Sequence, residues 1–89
     1  MEFLAKVHVT LKDGVNDPQG KTIMGGLKSL GFGTVSDVRM GRYLEVILQD
    51  DDIESAKRRV KEMCDRLLSN PVIEQSQFEI IPTGQVTRQ

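Results

Sequence analysis

The stretch DPQGKT, from Asp17 to Thr22, contains residue types that can make a phosphate site. Pro18 suits the first position of a helix, where free backbone N–H groups and the helix dipole attract anions. Lys21 adds one flexible positive charge. Asp17 opposes this chemistry, because a carboxylate repels phosphate and is itself a common helix cap. The segment is therefore more typical of a capped helix start than of a phosphate cradle.

A phosphate-handling enzyme is still an alternative for the same segment. Acylphosphatase-like enzymes of this size have a loop before the first helix, with an Arg that binds phosphate and an Asn that orients water. DPQGKT resembles that layout faintly and lacks the Arg. Turnover of an acyl phosphate by the isolated chain would support this alternative.

Two side chains have the chemistry of a base or a nucleophile. His8 is the only histidine and Cys64 is the only cysteine. His8 falls on the polar side of an alternating segment and has no recognisable orienting partner, so we expect a surface or interface side chain. Cys64 falls on the apolar stripe of a predicted helix, which favours core packing. We expect no catalytic residues in this chain.

Three consecutive carboxylates, Asp50, Asp51 and Asp52, have the chemistry of metal ligands. The positions that would supply the glycine turn and the distal Glu of a calcium loop hold helix-forming residues instead. Capping of the following helix explains the three aspartates. We expect no metal and no cofactor to be bound by this chain itself.

The charge balance argues against a nucleic-acid-binding protein. Twelve Lys and Arg residues against thirteen Asp and Glu give a net charge of -1. The basic run Lys57, Arg58, Arg59 and Lys61 is typical of a solvated helix face. The sequence has one Tyr and no Trp, so it lacks the aromatic pair with which RNA-recognition domains stack bases.

Length and apolar pattern indicate the broad class. Eighty-nine residues form one small domain, in which a single cysteine gives no disulfide framework. The N-terminus alternates in polarity, and no segment has about 18 consecutive apolar residues, as a membrane span requires. We therefore expect a cytoplasmic protein.

The strands are predicted from alternation of apolar and polar residues. Phe3 to Leu11 predicts the first strand. Two β-rich runs, Thr34 to Met40 and Tyr43 to Leu48, are separated by Gly41-Arg42 and predict a tight hairpin. Val72 to Ile81 predicts the last strand.

Two helices lie between these strands. The first begins at Pro18 behind the cap Asp17, and the second follows the three aspartates and ends before Pro71. The order βαββαβ predicts an α+β two-layer sandwich related to the ferredoxin-like fold, with both helices on one face of an antiparallel sheet. Residues 1–81 form the predicted domain and residues 82–89 a flexible tail.

Four motifs together resemble a known family. They are DPQG at residues 17–20, LGF at 30–32, DVRMGR at 37–42 and NPVIE at 70–74. Each motif is weak alone, but their joint occurrence is specific. The sequence from about Val7 to Ile81 is similar to the PurS family, the small subunit of phosphoribosylformylglycinamidine synthase in purine synthesis.

The resemblance implies a non-catalytic assembly subunit. In that family a large subunit carries the ATP-dependent amidation, a glutaminase subunit releases ammonia, and the small subunit, itself a dimer or tetramer, helps to bring the two together. ATP and Mg are therefore expected on the large partner subunit. An ACT-like module that binds a small ligand has the same element order and is the other alternative.

Exposed motif residues are the candidates for partner contact. Asp17, Gln19, Arg39 and Arg42 fall at a helix start and around the predicted hairpin, where a rigid scaffold presents side chains to a partner. Capping and turn formation alone are the alternative explanation for them.

We also expect a homo-oligomer, because a core of this size is modest. The segment from Pro71 to Ile81 is the predicted contact. Gln75, Ser76 and Gln77 interrupt its apolar pattern, so Phe78 and the residues beyond it are expected to leave the parent core and pair with a neighbouring protomer.

Overall fold

The computed structural model describes residues 1–85 and has the predicted α+β architecture. Three antiparallel strands and two helices make up the fold, so the predicted fold class is confirmed. The elements are β1 (Glu2–Leu11), α1 (Pro18–Ser29), β2 (Gly41–Gln49), α2 (Ile53–Met63) and β3 (Glu74–Pro82). A π-helical turn, Cys64–Leu68, continues α2, and a 3-10 turn, Thr83–Gln85, follows β3.

The sheet has the strand order β2-β1-β3, with the N-terminal strand in the centre. Val7 lies opposite Leu44 on one side and Phe78 on the other, so apolar residues of all three strands share one face. We call this the inner face. It forms the core together with Val60 and Cys64 of the second helix. The inner-face side chains of β1 are buried, and both edges of this strand are paired.

Helix α2 covers part of the inner face. Its cap is confirmed at Asp52, whose carboxylate accepts a hydrogen bond of 2.8 Å from the Ser55 N–H. Ala56, Val60 and Cys64 recur every four residues and are buried, as the apolar stripe predicts. The thiol of Cys64 is therefore a core group.

Helix α1 begins where its sequence predicts, and a glycine follows its end. It starts at Pro18 behind Asp17, and Gly31 beyond its end has a φ of 98°, a conformation that favours glycine. Unlike α2, it makes only marginal contact with the other helices and strands. No neighbouring atom lies within 4 Å of a Cβ built on Gly25 or Gly26. Within residues 1–85, this glycine pair therefore has no close neighbour that would require glycine.

The predicted hairpin is wrong in its first half. Residues 34–40 form no strand, and β2 begins at Gly41 without a reversal of the chain. The Met40 N–H donates instead to the carboxylate of Asp17, and Arg39 is bound to the end of β1. These bonds hold the segment near the start of α1. Within residues 1–85, the outer edge of β2 has no pairing strand.

The predicted departure of the last strand from the core is also wrong. Strand β3 pairs with β1 in continuous register from Glu74 to Pro82, without a bend at residues 75–77. Phe78 and Ile80 pack against the core of their own chain. The strand closes its own sheet because its apolar residues match those of β1. Homo-oligomerisation itself stays a prediction, and residues 86–89 of the predicted tail lie outside the described range.

Candidate protein-contact site

The carboxylate of Asp17 joins the start of α1 to the start of β2. Its Oδ1 accepts a hydrogen bond of 2.9 Å from the Gly20 N–H, and its Oδ2 accepts one of 2.8 Å from the Met40 N–H. These bonds, that from Met40 before that from Gly20, hold the pKa of the carboxyl below its usual range. The carboxylate occupies the helix N-terminus that a phosphate would need.

Gly20 makes this junction possible. A Cβ at position 20 would lie 2.3 Å from the carbonyl oxygen of Val38 and 2.6 Å from Oδ2 of Asp17. Both distances are far shorter than van der Waals contact, so only glycine permits this approach. The DPQG motif thus joins the start of α1 to the segment that leads into β2. We call the bonds of Asp17 to Gly20 and Met40 the clasp.

Arg39 makes a second connection at the same end of the sheet. One guanidinium nitrogen donates to the carbonyl oxygen of Leu11, and the other contacts the carboxylate of Asp13. The Arg39 side chain is still 37% exposed. Arg39 therefore ties the segment before β2 to the end of β1.

Arg42 connects three further parts of the chain. Its guanidinium donates to both carboxylate oxygens of Glu74, at 2.8 and 3.1 Å, and to the carbonyl oxygen of Leu68 at 2.8 Å. Glu74 also accepts a bond of 2.7 Å from the Asn70 N–H. The bond from Arg42 and then that from Asn70 lower the pKa of Glu74, and the same carboxylate raises the pKa of Arg42.

Gln19 differs from the other three candidates. Its side chain is exposed and makes no hydrogen bond within residues 1–85. It lines an open cavity of about 410 Å³ together with Pro18, Thr22, Ile23 and Met40. Of the four candidates, it has the side chain that is most available to a partner.

The structure thus brings Asp17, Gln19, Arg39 and Arg42 to one end of the molecule, where β1 ends and β2 and β3 begin. Sequence reasoning missed Glu74, which lies 32 residues from Arg42. Strand register decides this pair, because Arg42 lies opposite Val9 and Glu74 lies opposite Leu11 on the two sides of β1. The sequence around Arg42 and Glu74 does not predict how the three strands are aligned, and therefore does not predict this pair.

His8 and Cys64, the two side chains with the chemistry of a base or a nucleophile, lie in different environments. His8 is exposed on the outer face of the sheet, and its ring lies 4.7 Å from that of Tyr43. Cys64, at the start of the π-helical turn that continues α2, is buried. In residues 1–85, no three His, Cys, Asp or Glu side chains are grouped as metal ligands. No helix in that range is long and apolar enough to cross a membrane.

The arrangement is that of a small scaffold protein. Its charged motif residues set the chain path at one end of the sheet and leave loops and edges available for contact. The chain belongs to the PurS family. The family model described as "PurS: Phosphoribosylformylglycinamidine (FGAM) synthase" matches residues 4–82.

Individual relatives agree with this assignment. The phosphoribosylformylglycinamidine synthase subunit PurS of Synechocystis is 44% identical over 78 residues, which cover 88% of this chain and 78% of that protein. The Bacillus subtilis subunit PurS is 41% identical over 78 residues, which cover 88% of this chain and 92% of that protein.

Solved structures show the same fold. The C2 crystal form of B. subtilis PurS has a TM-score of 0.81 at 40% identity, covering 90% of this chain and 99% of that chain. A chain of the PurLQS structure from Thermotoga maritima has a TM-score of 0.83 at 28% identity, covering 91% and 99%. Neither the ACT-like nor the acylphosphatase-like alternative is supported.

Proposed function

We propose that this chain is the small, non-catalytic assembly subunit of phosphoribosylformylglycinamidine synthase in de novo purine biosynthesis. It helps to join the ATP-dependent amidation subunit to the glutaminase subunit. The observation that carries the proposal is the family match over residues 4–82, together with the TM-score of 0.83 to a chain of the T. maritima PurLQS structure.

The chemistry of the chain supports an assembly role. The charged side chains of its motifs are used to hold the chain path, as in the bonds of Arg42 to Glu74 and Leu68. ATP and Mg act on the large partner subunit, and the chain itself binds no cofactor. The working complex is cytoplasmic, in keeping with a buried free thiol at Cys64.

Reconstitution with the large and glutaminase subunits of the same organism tests this function. We expect the three proteins to co-elute in size-exclusion chromatography, with glutamine and nucleotide present. Amidation driven by glutamine should require this chain, whereas amidation driven by ammonium should not, because free ammonia needs no joined glutaminase. His8→Ala is the matched control and should leave both activities unchanged.

Two results would contradict the proposal. One is glutamine-driven amidation that is the same with and without this chain. The other is turnover of an acyl phosphate by the isolated chain, which would restore the enzyme alternative.

Among the four candidate residues, we propose that the Gln19 side chain contacts the large subunit directly. Gln19→Ala removes an exposed amide and leaves the hydrogen bonds of Asp17, Arg39 and Arg42 intact. We expect a lower affinity for the large subunit with an unchanged melting temperature. Gln77→Ala, on the exposed outer face of the sheet, is the control, and an equal loss in both variants would argue against this contact.

A further inference from the structure

The turn that leads into β3 has an apolar tip. It consists of residues 70–73, which we call the 70–73 turn, and its residues Pro71, Val72 and Ile73 are all exposed. Val72 is 80% exposed and Ile73 is 39% exposed. Turns are usually built from Gly, Pro, Asn, Asp and Ser, so Pro71 is expected there, whereas the two β-branched apolar residues after it are not. Their exposure on a turn needs an explanation other than the turn itself.

Hydrogen bonds fix the backbone of this turn. The Asn70 side chain accepts a bond of 3.1 Å from the Val72 N–H, and the Asn70 carbonyl oxygen accepts one of 3.1 Å from the Ile73 N–H. The Ile73 carbonyl oxygen accepts a bond of 2.8 Å from the Lys12 N–H, which ties the turn to the end of β1. Pro71 has a fixed φ and no N–H to satisfy. The position of Val72 is therefore set before any partner binds.

Arg42 holds both ends of the same turn. It donates to the Leu68 carbonyl oxygen, which precedes the turn, and to both carboxylate oxygens of Glu74, which follows it. Glu74 in turn accepts the bond of 2.7 Å from the Asn70 N–H. A planar guanidinium can make such a two-pronged bond and a further bond at once, which an ammonium group cannot do in the same geometry.

An apolar side chain on a fixed turn can bind a partner with little loss of entropy. Val has one side-chain torsion, which its β-branch already restricts, so burial removes little rotamer freedom. Because the 70–73 turn is ordered in the free chain, binding does not have to order a loop. Val72 is therefore suited to fill a shallow apolar recess.

The 70–73 turn lies at the same end of the molecule as Gln19. A cavity of about 170 Å³ is lined by Gln19, Arg42 and Glu74 among other residues, and Glu74 directly follows the turn. One partner surface can therefore cover both the Gln19 amide and Val72. An apolar centre with polar groups beside it is the usual composition of an interface between proteins.

We propose that Val72 inserts into an apolar recess of the large amidation subunit, next to the contact made by Gln19. This contact rests on the proposed function and assigns the chemistry of its partner surface: a shallow recess lined by apolar side chains. The Arg42–Glu74 pair beside it is internally neutralised, so the recess needs no compensating charge. Arg42 is a positioning residue, which acts on the partner through the place that it gives to Val72.

Val72→Thr tests the contact at nearly constant shape, because Thr keeps the β-branch and replaces one methyl group by a hydroxyl group. We expect about a tenfold higher dissociation constant for the large subunit, since a buried hydroxyl group would lack a hydrogen-bond partner in an apolar recess. The melting temperature should not change, because position 72 is exposed. Ile47→Thr is the matched control, at a β-branched residue that is 44% exposed on the outer face of the sheet, and should bind normally.

A double-mutant cycle tests the positioning role of Arg42. Arg42→Lys keeps the charge but loses the two-pronged bond to Glu74. We expect it to weaken binding of the large subunit in the unaltered chain and to cause little further loss when Val72→Ala is already present. A general structural role of Arg42 would weaken binding by the same factor in both backgrounds.

Three results would overturn this contact: normal binding by Val72→Thr, an equal loss in the Ile47→Thr control, or a Val72→Thr variant that instead changes the sedimentation of the isolated chain. The last result would place Val72 between copies of this chain. If glutamine-driven amidation requires this chain while Val72→Thr binds normally, the proposed function stands and the contact is wrong. An unaltered chain that does not bind the large subunit contradicts both.

Discussion

The two helices begin in the same way and end in different environments. Asp17 caps α1 and Asp52 caps α2, each by accepting a hydrogen bond from a backbone N–H three residues later. Helix α2 then buries Ala56 and Val60 against the sheet, whereas the only buried residue of α1 is Gly20. A good local helix signal thus determines where a helix starts, but it does not determine what the helix packs against.

The largest expected effect is a difference in stability between a variant in the buried side of α2 and one in the exposed side of α1. Val60→Asp buries an unpaired charge and should lower the free energy of unfolding by about 3 kcal/mol or more. Ile23→Asp should change it by less than about 0.5 kcal/mol in the monomeric chain, because its side chain is exposed. Urea unfolding at low protein concentration measures both. Equal losses would show that α1 packs against its own chain.

Two glycines of α1, Gly20 and Gly25, give a similar comparison within one helix. Gly20→Ala should destabilise by about 1–3 kcal/mol, because the added Cβ would meet the Val38 carbonyl oxygen at 2.3 Å. Gly25→Ala has open space and should stabilise the helix by about 0.5–1 kcal/mol. Thermal unfolding followed by circular dichroism compares them. Equal behaviour of the two variants would mean that Gly20 is not a point of close contact.

The Arg42–Glu74 pair should have a smaller effect that depends on pH. Arg42→Ala should lower stability by about 1 kcal/mol near pH 7, because the Arg42 side chain is 52% exposed and solvent screens its interaction with Glu74. Because the pKa of Glu74 is lower in the folded state, its contribution is present above its ordinary value of 4.5 and is lost as the pH falls through the folded pKa.

Unfolding curves between pH 7 and pH 3 measure this effect. The unaltered chain should lose stability below about pH 5, and Arg42→Ala should lose less over that range. Lys57→Ala, which removes a looser pair with Glu54 at 3.7 Å, is the control. A pH profile that Arg42→Ala leaves unchanged would contradict this role of Glu74.

The smallest expected effect is local to the clasp at Asp17. The amide that Asp17→Asn introduces has one acceptor oxygen, which can keep the bond from Gly20, whereas its NH2 group cannot accept the bond from Met40. The Met40 amide should therefore exchange faster with solvent. Global stability should change little, because Asn caps a helix about as well as Asp does. Amide exchange measured by NMR tests this, with Asp51→Asn as the control. Unchanged protection of the Met40 amide would rule out the clasp.

The sequence predicts most of the residues of the candidate site, but it does not predict which residues they bind. Asp17 is recognisable as a cap because capping is a local interaction over three residues. Its second bond, to Met40, spans 23 residues and follows from the path of the chain. Arg39 and Arg42 are visible as charged motif residues, but their partners Leu11, Asp13 and Glu74 are set by strand register.

The sequence by itself determined the strand faces, the two helix starts and the α+β class. These features depend on alternation, four-residue periodicity and capping, which are interactions between near neighbours. Tertiary structure decided that residues 34–40 form no strand and that β3 stays in its own sheet. Both outcomes depend on bonds between distant parts of the chain, namely the clasp of Asp17 with Met40 and the full register of β3 with β1. Local propensity cannot predict such bonds, because they form only when distant parts of the chain are brought side by side.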